Sequence, residues 1–387
     1  MSSSLELTLI KDFNQITFGS IQITCDNNHL FIGDNSGKIK RLSLNTTNNI
    51  QNIDQIYSEP ISCLSCFQDS TGIIIADQDG GLIIYKTNNG SITNEFSLCA
   101  SFSKVITWNG KIAIPENPAM SNFYVTDGDG DMFIFNKNEG MLDEKLDLRD
   151  KHPNTIDSII CSHDSETLFI GDRSGYLKEY VIYEDIALDF QTPKCDFGQI
   201  FGEEVFVTCL AINKNDEFIF ASSDSAKIVK CSIDTGKVVK TIGPIFDDRG
   251  EIQSIVCSYD FLIAGNSYND QFGDKGGELK QYCLQTLDLI KDYGKIMKNA
   301  IESMCITPNL KTLFISDNNG HLSMYNLPND SKIWDECIEA NDKRVQSNKE
   351  YKECYRIDMI KRNKFRQHIS IMSIHTPFDS ESNLDRK

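Results

Sequence analysis

The chain has 387 residues, with 56 Asp and Glu against 38 Lys and Arg, a formal net charge of −18, and 40% apolar side chains. That length allows one large or two ordinary domains. The negative balance disfavours direct binding to a nucleic-acid backbone and favours basic protein surfaces, and no apolar run approaches the ~20 residues that span a bilayer.

From the N-terminus, Met1-Ser-Ser-Ser-Leu-Glu-Leu7 has neither the basic nor the apolar region of a signal peptide. With 13 cysteines in the chain, many of them in apolar strand patterns, the reading is a reducing, intracellular, cytoplasmic setting in which Cys acts as a small hydrophobe. Leu5–Phe13 echoes Leu287–Tyr293, an outer strand of a later unit. It is therefore expected to complete the last unit; Ser331–Cys337 competes for the same slot.

A hairpin then recurs along the chain. Its copies are Leu30–Leu44, Ile73–Lys86, Phe123–Asn136, Leu168–Ile182, Phe218–Ile233, Phe261–Leu284 and Thr312–Leu327. Most share an Asp-x-x-Gly turn, as in Asp34-Asn-Ser-Gly37, Asp172-Arg-Ser-Gly175 and Asp317-Asn-Asn-Gly320. Asp accepts N–H bonds across such a turn, and Gly tolerates φ > 0 at its fourth position. The fifth copy has Ser223 and Ala226 instead and is expected to turn differently; the sixth is expected to end its turn in Asp274-Lys-Gly-Gly277. Before the hairpins comes a column of alternating small and apolar residues, seen in Ile61–Cys66, Ile156–Cys161, Val207–Ile212, Ile252–Cys257 and Ile301–Ile306. Ser20–Cys25 follows the same pattern. Such alternation suits an inner strand crowded at an axis. Turns spaced by 43–51 residues and four short strands per unit describe propeller blades.

The pattern Ile-x-Ser-Ile-x-Cys, followed by Leu-Phe-Ile-Gly-Asp-x-x-Gly-x-Leu-x-x-Tyr, resembles the WD-repeat family over about residues 5–340. The resemblance implies an all-β, seven-bladed WD40-like β-propeller closed by its N-terminal strand. The family's Trp is replaced by Leu42, Tyr85, Phe135, Tyr180, Cys231, Tyr282 and Tyr325. No Gly-His pair stands between blades, so the family's Asp-His-Ser-Trp network is expected to be incomplete. An inner-strand Ser is read at 20, 158, 254 and 303.

After residue 340 the pattern stops. Residues 341–387 hold 11 Lys and Arg against 7 Asp and Glu and read as a basic C-terminal extension, partly helical or disordered.

Catalytic chemistry finds little footing. Asp127-Gly-Asp-Gly-Asp131 has the first three carboxylates of a calcium loop, but Met132 and Asn138 stand where Gly and Glu are required. It falls in register with the hairpin turns and reads as one. Cys63 and Cys66 have CxxC spacing, but residues three apart on a strand point to opposite faces. No cofactor, metal or catalytic set is expected, and the chain reads as a non-enzymatic protein-interaction scaffold of a larger complex. Its partner-binding residues are placed on the face of the b–c turns and d–a loops: Asp79, Asp129, Asp131, Arg173, Tyr176, Tyr268 and Phe272, with Asp224 among them. The alternatives are recognition of a basic, histone-like tail and a metal-dependent ligand-binding or hydrolytic propeller.

Overall fold

A computed structural model describes residues 7–327 except 14–18, 20, 27, 45–49, 56–59, 68–71, 78–80, 87–90, 98–110, 115–121, 127–130, 137–140, 149, 153, 183–192, 203–204, 247–249 and 269–275. The described residues belong to one unit, Met1–Asn329, and the basic extension expected from 341 lies outside them.

Runs such as Leu168-Phe-Ile and Leu313-Phe-Ile are rich in β-branched and aromatic residues and form strands. The 28 described strands make seven four-stranded antiparallel sheets. From inner strand a to outer strand d, blade 1 runs from Ile21–Cys25 to Ile50–Gln55 and blade 2 from Ile61–Cys66 to Ser91–Ser97. Blade 3 runs from Ile112–Ala113 to Met141–Asp147, blade 4 from Ile156–Cys161 to Cys195–Gln199, and blade 5 from Val207–Ile212 to Lys237–Ile242. Blade 6 runs from Gly250–Cys257 to Leu289–Met297. Blade 7 takes strands a to c from Ile301–Ile306, Thr312–Asp317 and Leu322–Asn326, and its strand d from Thr8–Phe13. Each a strand contacts those of the neighbouring blades, and the a strand of blade 7 meets that of blade 1, so the ring closes.

The closure expected from the N-terminal strand is present. Thr8 pairs with Asn326 and Phe13 with Leu322, the Leu7 N–H donates to the Tyr293 hydroxyl of blade 6 at 2.7 Å, and Ser323 donates to Asp12 at 3.0 Å.

The core lies between blades. Strand b is covered on both faces and is buried along its whole length in blades 2 and 4, whereas strand d of blade 5 is mostly exposed. The Gly before the turn lets the next blade approach. A Cβ on Gly33 would stand 2.7 Å from the Ile61 side chain, and Gly171 meets Val207 in the same way.

The Asp turns behave as the sequence predicts. The Asp34 carboxylate accepts from Ser36 and Lys38 N–H at 2.9 and 3.1 Å, Asp172 from Ser174 and Tyr176, and Asp317 from Asn319 and His321. Gly37, Gly175 and Gly320 have φ of 75–88°. Two expectations are corrected. In blade 5 the turn keeps the common shape: Ala226 takes φ 56°, and the Ser223 hydroxyl accepts from Lys227 N–H at 3.0 Å in place of the carboxylate. In blade 6 the described capping residue is Asn266, and Asp274, where the turn was expected, lies outside the described residues. Asn266 pairs with Ile252 as Asp172 pairs with Ile156, and its side-chain oxygen accepts from Glu278 N–H at 2.7 Å.

Lysines on strand c, buried at 178 and 230 and half-buried at 280, tie blades to neighbouring loops. Lys230 donates to the Leu284 and Gln285 carbonyls at 3.1 and 2.8 Å, with its ammonium 3.7 Å from the Phe218 ring centroid. Lys280 donates to the Ile245 carbonyl at 2.8 Å, and Lys178 reaches the Lys151 carbonyl. Replacing Lys230 by Ala removes the donor from two carbonyls and the cation from the ring. Urea unfolding is expected to show a loss of about 2–4 kcal/mol; a loss below about 0.5 kcal/mol would mean that water serves those carbonyls equally well.

Candidate interaction face

The b–c turns and d–a loops share one rim of the ring. At the residue after the first apolar position of the inner-strand pattern, five blades carry a β-bulge, at Ser62, Asp157, Thr208, Gln253 and Glu302. A bulge re-aims its side chain, and all five line the axial channel. The polar residue between Ile and Ser or Cys in the repeat was the signal for this ring of groups.

From there a patch extends over blades 4 to 6. The Arg173 guanidinium binds Asp157 through Nε at 2.6 Å and lies 5.9 Å from the Phe206 ring centroid. Phe206, 37% exposed, is held by its N–H donating to Asp224 at 3.1 Å. Its neighbour Glu251 is pushed above the usual carboxylate range, by burial first and then by the negative charge of Asp224. A cation, an exposed ring and two mutually repelling carboxylates thus share one surface.

The residues expected on this face fare unequally. Arg173 is central to the patch. Tyr176 opens strand c of the same hairpin, half-buried, with the Lys178 ammonium 5.2 Å from its ring centroid. Asp131 opens strand c of blade 3, where it is buried and ion-paired to Lys145 at 2.7 Å. Tyr268 ends strand b of blade 6. Asp79, Asp129 and Phe272 lie outside the described residues. Phe206 was missed; it stands directly before the inner strand beginning at Val207, where a large apolar residue has no place in the repeat.

A polar network also joins the blades. His152, in the loop before blade 4, is 0% exposed. Its Nδ1 lies 2.9 Å from Asp172 and its Nε2 3.0 Å from the Tyr180 hydroxyl. Burial lowers the His152 pKa more than its bond to Asp172 raises it, which favours the neutral ring. The carboxylate can only accept, so Nδ1 carries the proton and Nε2 accepts from Tyr180. The expectation of a missing His is therefore corrected for blade 4, with Tyr180 standing at the Trp position. In blade 7, Asn299 donates to Asp317 at 2.9 Å instead.

Cys63 lines the channel, while Cys66 donates to the Cys25 carbonyl at 2.9 Å, and burial pushes the Cys66 thiol up to about 12. Among the described residues, no three His, Cys, Asp or Glu side chains converge as a metal set, and no helix is long and apolar enough to cross a membrane.

No protein-family description matches the chain, and no curated protein matches it by sequence. Among solved structures 1717 chains match, a breadth that identifies a common architecture rather than one relative. One of them, from the crystal structure of a mitotic checkpoint complex, matches with a TM-score of 0.67 at 10% identity, over 84% of this chain and 93% of that one. The fold is that of a seven-bladed, WD40-like β-propeller.

Proposed function

We propose that the protein is a non-enzymatic protein-interaction scaffold in a larger intracellular complex, and that it docks a partner on the Arg173–Phe206–Asp224–Glu251 patch. The observation that carries the reading is the exposed Phe206 ring, held by Asp224 and flanked by Arg173. Arg and aromatic anchors in a fixed geometry concentrate binding energy at protein interfaces. The fold agrees with this role, since a rigid ring presents many loops, and a chain of similar fold comes from a mitotic checkpoint complex. The partner surface is basic: a Lys or Arg of the partner relieves the repulsion between Glu251 and Asp224 that raises the Glu251 pKa, and the chain's net charge of −18 steers basic surfaces towards it.

Affinity capture from cell extract tests this, comparing the full chain, a chain ending at Ala340, and the Phe206→Ala/Glu251→Gln double variant at low and moderate salt. Discrete partners are expected with the first two and lost with the third. Partners that survive the double variant would move the site elsewhere on the ring, and reproducible turnover of a small substrate would sink the scaffold reading.

A further inference from the structure

The axial channel encloses about 700 Å³ and carries a feature that the docking patch does not use. We propose that it binds a small oxyanion, a carboxylate or a phosphate, on Lys111. One level of the channel is built from the inner-strand residues that pair with the residue just before each b–c turn. Cys63, Ser158, Cys209, Ser254 and Ser303 occupy it in blades 2, 4, 5, 6 and 7. Blade 3 contributes Lys111. Its N–H donates to the Thr126 hydroxyl at 3.0 Å, its carbonyl accepts from Thr126 N–H at 2.9 Å, and Thr126 directly precedes the turn. Blade 1 contributes Gln22, which pairs with Gly33, so Lys111 stands at a level with small side chains in five blades and one other long polar side chain.

Lys111 lines the channel. Burial raises the thiols of Cys63 and Cys209, and Lys111 pulls against that rise at both. One thiol belongs to the neighbouring blade and the other to a blade two positions on, so the charge lies towards the axis. Among the described residues no carboxylate or carbonyl pairs with the Lys111 ammonium. The nearby acids are engaged, Asp157 by Arg173 at 2.6 Å and Glu302 by the Gln22 amide at 3.2 Å. The hydroxyls of Ser158, Ser254 and Ser303 line the same channel and make no hydrogen bond to the described residues. An ammonium only donates, and a serine hydroxyl can donate as well, so the ligand must accept. Lys214 lines the same channel, and cations in a confined cleft focus the field that draws an anion in.

The test is calorimetric titration with inorganic phosphate and with citrate at fixed ionic strength, on the wild type, Lys111→Gln, and Lys237→Gln on the exposed outer strand of blade 5. Saturable wild-type binding of at least one anion is expected, weakened at least about tenfold in Lys111→Gln and unchanged in Lys237→Gln; the anion that binds separates phosphate from carboxylate. Lys111→Gln is expected to keep the wild-type unfolding midpoint, because its ammonium holds no group among the described residues. A second readout needs no variant: the bound anion slows modification of Cys63 and Cys209 by N-ethylmaleimide, followed by mass spectrometry. No saturable binding to the wild type, equal binding in Lys111→Gln, or no protection of the two thiols overturns the proposal.

Discussion

A chain beginning at residue 14 is expected to lose cooperative folding. Removing Thr8–Phe13 strips blade 7 of its outer strand and exposes the edge of Leu322–Asn326. Buried Leu7 belongs to the core between blades 6 and 7, and buried Phe13 to the core between blades 7 and 1. Burying such side chains contributes about 2 kcal/mol each, and the five-pair ladder with Asn326 to Leu322 about 1 kcal/mol per bond. The total approaches the about 5–15 kcal/mol that hold a whole domain together. The bare edge also becomes a template for pairing with other chains. Denaturant unfolding and light scattering read the outcome: an early, broadened transition with aggregation is expected. An unchanged midpoint would mean that another segment takes the slot, and Ser331–Cys337 is the one whose sequence suits it.

The second large effect is expected from His152→Ala. The substitution leaves the Asp172 carboxylate and the Tyr180 hydroxyl without their buried partner. Breaking such a site from one side costs about 3–5 kcal/mol, read as a lower guanidinium midpoint with unchanged slope. Asp172 also shapes its own turn through Ser174 and Tyr176 N–H, so local loosening at Arg173 and weaker partner docking should accompany the loss. His152 carries a pH signature as well. Its folded pKa lies below the ordinary 6.5, so the unfolded chain takes up the proton first. The stability this contributes is complete above about pH 6.5 and is lost as pH falls through the depressed folded value. Asp216 adds a lower window. Burial raises its pKa, but bonds from the His163 ring and from the His163 and Asp164 N–H groups outweigh that and depress it, so its contribution is lost only as pH falls below the ordinary carboxylate value of 3.8. Unfolding midpoints of wild type and His152→Gln between pH 7 and 5 separate the two: the slope in that range should flatten in the variant. A slope that persists would assign the first window to another group.

Much of the architecture was legible in the chain because the repeat is local. Each Asp-x-x-Gly turn closes through atoms two and four residues apart, as in Asp34 with Ser36 and Lys38, and each strand declares itself by its own apolar run. The same locality explains the two turn errors. Ala226 was judged by its intrinsic dislike of φ > 0, yet its buried surroundings and the Ser223 hydroxyl hold it there. Asn266 was passed over because an inserted loop displaced the Asp and Gly by which the turn was recognised, while the ladder with Ile252 fixed the register regardless.

The sites depend on contacts between blades, which no single repeat encodes. His152 precedes its own blade by a few residues, yet its partners lie 20 and 28 positions away. Phe206 acquires its meaning from Arg173 of the preceding blade and Asp224 of its own. The ring level around Lys111 draws on several blades at once. By itself the sequence determined the blade count and most of the turn chemistry and favoured the N-terminal strand over Ser331–Cys337 for closure, because strand periodicity and turn capping act over a few residues. Only the tertiary structure decided which polar groups are buried as structural pairs, as with Asp131 and Lys145, and which face the rim or the channel, because burial and charge pairing are set by side chains from different blades.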